Sequence, residues 1–248
     1  MPIEQQLIVY LFTTLGSSYG VAFGGGSFVV LPVLFLLGVD PKIAVATNVT
    51  AAIAQLITGA VMFSRHKKIH YEVAASTAPF YLVGGVIGAF ALINVNPDLL
   101  KGIVAVAIIL FAIFGLWNRK TLAGGKCKTG KAKTIFAYPL ILLVGIYQVM
   151  TTAGAGTLLT FIFVYLYGLR LKCSIYTRQF VTLPTMILGA AILIAHGMVD
   201  WLLFIPLVLG RISGAAIGSE MVMHTRGKKL AIAFSIVVIL MAIKTLLG

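Results

Sequence analysis

The chain repeats itself at a fixed spacing. Gly24-x-Gly26 returns as Gly154-x-Gly156, Gly38 as Gly168 and Thr47 as Thr177. Gly59-Ala60 returns as Gly189-Ala190, His66 as His196, and Gly84-xxx-Gly88 as Gly214-xxx-Gly218. Every pair lies 130 residues apart with no gap. Both copies are almost wholly apolar. A tandem duplication of apolar segments predicts two related halves, with a substrate site at their interface.

The apolar content decides the solvent. Hydrophobic residues make up 60% of the chain and charged residues 10%, with a mean hydropathy of +1.07. A soluble domain of this size cannot hide that much apolar surface. The runs Val73 to Leu92, Gly102 to Leu116 and Leu230 to Ile243 carry no charge, and about 20 apolar residues cross a bilayer core. The expected class is an all-α polytopic membrane protein with about 8–10 membrane segments. Met1 to Gln6 carry Glu4 and no basic residue, unlike a cleavable signal. Cys127 and Cys173 fall in or beside basic loops and suit neither a metal site nor a disulfide framework. The net charge of +13 sits mostly in short loops, which reads as a topology signal and not as a nucleic-acid surface.

The apolar segments fall at roughly 5–21, 26–38, 43–64, 72–93 and 98–117, and again at 135–152, 157–168, 174–196, 200–222 and 228–247. Residues 1–117 and 135–248 are read as two membrane repeats joined by a basic linker, 118–134. That linker holds Arg119, Lys120, Lys126, Lys128, Lys131 and Lys133 and no acid. Arg65 to Lys68, Arg170 to Lys172 and Arg226 to Lys229 are basic too, so all four loops are expected in the cytoplasm. The third segment of copy one then ends inside and that of copy two ends outside. The halves are expected to be inverted repeats, with both termini outside. Asp40-Pro41 and Asn96-Pro97 read as helix starts, Gly38 and Gly168 as left-handed helix ends, and Pro184 as a kink.

Two segments are too short to cross. Residues 26–38 and 157–168 would make helices of about 20 Å against a core of about 30 Å. Each follows a glycine cluster. Irregular backbone survives at membrane depth only when it is buried in protein or lines a cavity. Broken or re-entrant helices meeting near the midplane are expected.

The polar residues within this apolar frame are the candidate site. Gly24, Gly25, Gly26 and Ser27 open one short helix; Gly154, Gly156 and Thr157 open the other. A helix start offers N–H groups and partial positive charge, and glycine lets an oxyanion approach. Close helix packing is the plainer reading of the same glycines. Thr47-Asn48 and Thr177-Arg178-Gln179 begin the long third segments, and the offset sets Asn48 opposite Arg178. A guanidinium presents a planar fork to two oxygens; alternatively Arg178 snorkels to the surface. Arg211 lies midway along its segment, and its repeat mate is Tyr81. It is expected to face the protein interior, against an anion or against backbone carbonyls freed by the broken helices. No acid stands in the middle of any segment. Two embedded arginines without a carboxylate favour an anionic substrate. His66 and His196 read as interfacial caps, and the Gly84/Gly88 and Gly214/Gly218 pairs as packing contacts. No metal motif, nucleotide loop or nucleophile–base set appears, so no cofactor is expected and catalysis lacks support.

Gly24-Gly25-Gly26-Ser27, Leu31-Pro32, Gly38, Pro41 and Ala46-Thr47-Asn48 together resemble the opening motif of the TauE/SafE sulfite exporter family. Gly154-x-Gly156-Thr157, Gly168, Thr177 and Gly197 to Trp201 resemble its second half. Arg178 departs from the small polar residue expected at its place. The resemblance implies movement of sulfite, sulfonates or related small anions across a prokaryotic cytoplasmic membrane. The reading is a secondary transporter working by alternating access. An anion channel, a transporter of small carboxylates, and a membrane enzyme or assembly factor are the alternatives. The lipid bilayer and a small anion are the expected partners; a coupling ion and a homodimer stay open.

Overall fold

The computed structural model describes residues 2–64, 69–104, 106 and 137–224, and all regular structure within them is helical. The helices are α1 (Ile3–Phe23), α2 (Ser27–Leu36), α3 (Pro41–Ser64), α4 (Tyr71–Asn94), α5 (Ala137–Thr151), α6 (Ala155–Tyr165), α7 (Leu171–Ala195) and α8 (Trp201–His224). A further helical stretch occupies 97–104. The linker 118–134, most of the segment 98–117 and the segment 228–247 lie outside the described residues.

Local chemistry sets the boundaries. Asp40 Oδ1 accepts the N–H groups of Lys42 at 2.9 Å and Ile43 at 3.2 Å, capping α3 ahead of Pro41. Asp200 caps α8 in the same way, through Leu202 at 2.9 Å and Leu203 at 3.1 Å. Asn96 Oδ1 accepts the N–H of Asp98 at 2.8 Å. Gly38 and Gly168 adopt φ of 79° and 69°, the left-handed turn that ends a helix at least cost in glycine. The helix α7 runs unbroken through Pro184.

Among the described residues four helices, α3, α4, α7 and α8, are long and apolar enough to cross a membrane. By contrast α2 and α6 have 10 and 11 residues, about 15–17 Å of helix, half a bilayer core. Each folds back beside the helix before it. Gly26 packs against Gly16 and Gly20 of α1, while Val9 and Leu34 share one apolar cluster. The pair α1–α2 is therefore a hairpin whose turn, Gly24 to Gly26, sits deep in the protein. The helices α5 and α6 pack against each other similarly.

Glycine sets how closely the helices approach. A Cβ on Gly214 or Gly218 of α8 would collide with the Thr14 or Ser18 carbonyl of α1. A Cβ on Gly84 or Gly88 of α4 would meet the Leu142 or Ile146 carbonyl of α5. These two seams correspond under the 130-residue offset, so a half-one helix packs on a half-two helix at both. Backbone contact of this kind holds helices together where lipid supplies no hydrophobic drive.

The clusters show which helix ends lie together. Val21 (end of α1), Phe63 (end of α3), Ile175 (start of α7) and Val222 (end of α8) share one. Val45 (start of α3), Leu92 (end of α4) and Leu193 (end of α7) share another. Val9, Ala44 and Leu203, near the starts of α1, α3 and α8, share a third. Thus α3 runs against α7, and α4 against α8.

Candidate functional site

The two glycine turns meet. The Gly24 Cα lies 3.0 Å from where a Cβ on Gly156 would stand. Gly24 itself has φ 87°, and its repeat mate Gly154 has φ 78°. Both turns therefore need the left-handed conformation, and the contact leaves no room for a side chain on Gly24. Beside it lies a cavity of about 50 Å³. On that measure a water needs roughly 10–15 Å³, so the space suits a few waters or one small oxyanion. Its wall includes Gly24, Gly26, Ser27, Gln55, Gln148, Thr152, Gly156, Arg178, Gln179, Thr182 and Arg211. Each of these except Gly24 is buried.

Arg211 is 2% exposed, halfway along α8. Its Nη1 donates to Gln55 Oε1, and its Nη2 donates to Asn48 Oδ1 and, at 3.3 Å, to Ser27 Oγ. All three acceptors are neutral. Its Nε has no partner. Asn48 Nδ2 donates to Ser27 Oγ at 3.0 Å and to Thr152 Oγ1 at 2.7 Å. Ser27 thus accepts twice, which leaves its own hydroxyl hydrogen to donate. Ser17 Oγ donates to the Arg211 carbonyl at 2.9 Å and braces the same helix.

Arg178 is engaged differently. Its Nη1 donates to the Gly156 carbonyl at 3.0 Å and to Thr160 Oγ1 at 2.8 Å. Its Nη2 donates to the Gly20 and Val21 carbonyls at 3.2 and 2.7 Å. The latter two lie in the last turn of α1, where the dipole is negative; the Gly20 carbonyl also accepts the Gly24 N–H at 2.7 Å. Arg178 therefore ties one hairpin to the other. The four terminal N–H groups of its fork are spent on this, although its charge still adjoins the cavity. The snorkelling alternative does not describe it: Arg178 is 3% exposed. The partner of Asn48 is Arg211, and Asn48 and Arg178 have separate hydrogen-bond sets.

Both guanidiniums are held by neutral groups. All six Asp and Glu side chains are exposed. Among the described residues the one ion pair joins Glu220 to His224. The starts of α2 (Gly26, Ser27) and α6 (Gly156) reach the same cavity, and each adds a partial positive charge. Desolvated positive charge on this scale calls for a negative partner.

The expected site residues divide into two groups. Gly24, Gly26, Ser27, Gly156, Arg178, Gln179 and Arg211 line the cavity. Gly25, Thr47, Asn48, Gly154, Thr157 and Thr177 do not. Asn48 stands just behind the wall, holding Ser27 and Arg211. Gly154 caps α6, accepting the N–H groups of Thr157 at 2.9 Å and Leu158 at 3.2 Å. Gly25 packs close to the Phe28 ring, and Gly26 also fits against the Gly16 carbonyl, so close packing explains part of the glycine cluster. Thr47 Oγ1 accepts the Asp200 N–H at 3.0 Å, and Thr177 Oγ1 accepts the His70 N–H at 3.1 Å. These threonines fasten each half to the other.

The sequence reading omitted Gln55, Gln148, Thr152 and Thr182. Gln148 accepts the Tyr81 hydroxyl at 3.1 Å. Thr152 has φ 51°, the one non-glycine residue with positive φ among those described. That conformation costs energy and tends to persist at functional sites. An isolated amide within an apolar helix was the available signal.

The chain is similar to known transport proteins. The profile of the family described as sulfite exporter TauE/SafE matches residues 9–245. A probable membrane transporter protein, YfcA, of Escherichia coli is 26% identical over 211 residues, 84% of this chain and 76% of its own. A probable membrane transporter protein of Haemophilus influenzae is 22% identical over 232 residues, 93% of this chain and 90% of its own. A third, ORF9 of Sinorhizobium sp, is 25% identical over 225 residues, 90% and 85% of the two chains.

Proposed function

Because the chain belongs to the sulfite exporter TauE/SafE family of membrane transporters, we propose that its cargo is a compact oxyanion, sulfite or a small sulfonate, held where the two glycine turns meet. One observation carries this reading. Two buried guanidiniums and two helix starts surround a small cavity, and no carboxylate neutralises them. Arg211 Nε, the Ser27 and Thr182 hydroxyls and the Gln179 amide are the donors still available to an anion. Arg178 adds charge and fixes the hairpins.

The transport cycle is alternating access between residues 1–117 and 135–248, arranged as inverted repeats joined by the linker 118–134. Support comes from the opposed directions of α3 and α7 and of α4 and α8. Burial of nearly the whole cavity wall fits an occluded state better than an open pore. The basic linker lies in the cytoplasm and both termini lie outside, in a prokaryotic cytoplasmic membrane. The protein moves its substrate unchanged, a reading supported by its membership of a transporter family.

The test is flux in proteoliposomes. Sulfite uptake that saturates and shows counterflow is expected. Unitary currents would indicate a channel, and uptake of acetate in preference to sulfite would transfer the site to carboxylates.

A further inference from the structure

Gln179 is one of two polar cavity-wall residues, with Thr182, whose side chain makes no hydrogen bond at all. It is 1% exposed, and neither its Oε1 nor its Nε2 has a hydrogen-bond partner. Burying an amide without partners is costly, because its hydrogen bonds to water are lost and not replaced. The space it occupies is provided by Gly59. A Cβ there would lie 3.1 Å from Gln179 Nε2 and 3.4 Å from its Cδ. Its repeat mate is Val49, so the duplication did not put an amide here. Position 179 departs from the repeat at the cavity itself.

The chemistry of the amide is mixed. Nε2 donates two hydrogens and Oε1 accepts. Of the other available groups, Arg211 Nε and the Ser27 hydroxyl only need to donate, and the Thr182 hydroxyl can donate or accept. A ligand bearing acceptors alone would satisfy Nε2 and leave Oε1 facing negative oxygens. A ligand with acceptor oxygens and one hydrogen of its own satisfies both ends. Resting on the anion reading above, we infer that Gln179 selects oxyanions that carry a hydrogen-bond donor, such as a singly protonated oxyanion, over anions of equal charge without one. Discrimination of this kind is strong because the wrong ligand leaves a buried polar group unpaired.

Two probes of equal charge separate the cases: hydrogensulfite, at mildly acid pH, and methanesulfonate, which has no acidic hydrogen. Each is titrated into the purified full chain in detergent, with affinity read by calorimetry. Wild type should bind hydrogensulfite about tenfold more tightly than methanesulfonate, the size of one hydrogen bond to a charged group. Gln179→Met keeps the length and apolar volume and removes both amide groups. It should bring the two affinities within about twofold. Gly59→Ala, which displaces the amide without altering it, should narrow the ratio in the same direction and serves if the methionine variant does not fold. A preference that survives in both variants overturns the role of Gln179 and leaves the anion site standing. Equal binding of the two probes by wild type does the same. Failure of wild type to bind either anion removes the anion reading and this inference together.

Discussion

Gly24 and Gly156 meet backbone to backbone, one from each half of the chain: the Cα of the first lies 3.0 Å, and its carbonyl oxygen 3.1 Å, from where a Cβ on the second would stand. The contact fixes the depth at which the two hairpins stop, and so the place of the cavity.

Alanine should act unequally at the two positions. At Gly24 it must adopt φ 87° and would press on the Gly156–Thr157 backbone and on Arg178. Strain of about 1–3 kcal/mol comes from the dihedral alone, with the clash in addition. Gly24→Ala should lower the melting temperature sharply or prevent recovery of monodisperse protein. Gly156→Ala has no positive φ to support and needs its neighbours to give by a few tenths of an ångström. It should fold and lose sulfite flux. Equal melting temperatures for the two variants would sink the distinction.

Thr47 and Thr177 fasten opposite ends of the protein. Each hydroxyl accepts one backbone N–H from the segment opening a helix of the other half, Asp200 for Thr47 and His70 for Thr177. Valine keeps the shape and removes the acceptor, at about 1 kcal/mol. Hydrogen exchange should accelerate at Asp200 in Thr47→Val and at His70 in Thr177→Val, each without the other. If both amides respond to either substitution, the fastenings are not independent and cannot open in turn.

Much of this arrangement was legible in the residues, because duplication and apolar length are strong signals. The short helices α2 and α6, the glycine turns and the caps at Asp40 and Asn96 follow from local chemistry. The wall of the cavity was less legible. Gln55, Gln148 and Thr152 have Thr185, Ser18 and Ala22 as repeat mates, so the repeat passes over them. The offset also suggested that Asn48 would face Arg178. Equivalence within a duplication relates two positions without making them neighbours, and the partner of Asn48 came from α8 instead. Thr47 and Thr177 looked like ligands because they are polar and repeated; their hydroxyls are used between the halves.

Sidedness rests on the basic linker and is open to direct measurement. The two cysteines are Cys127, within the linker, and Cys173, which is buried. In intact cells an impermeant maleimide added outside should leave the protein unlabelled, and opening the cells should expose Cys127. Ready labelling of Cys127 from outside would reverse the orientation and remove the charge argument for inverted halves.

The two arginines should separate under substitution. Arg178 spends its fork on four acceptors that hold the hairpins together, three of them backbone carbonyls. Glutamine cannot span that set, and each lost bond from a charged donor is worth about 1.5–3 kcal/mol. Arg178→Gln should therefore destabilise the protein strongly, even without substrate. Arg211 is held by three neutral side chains and keeps a free Nε beside the cavity. Arg211→Gln removes a charge whose binding partner is the anion, so sulfite affinity should fall at least about tenfold, the effect of losing about 1.4 kcal/mol. Its melting temperature without anion should fall less than that of Arg178→Gln, and the rise on adding sulfite should disappear. Melting curves of both variants with and without sulfite decide the matter. A stable Arg178→Gln that no longer responds to sulfite, beside an Arg211→Gln that still does, would exchange the two roles.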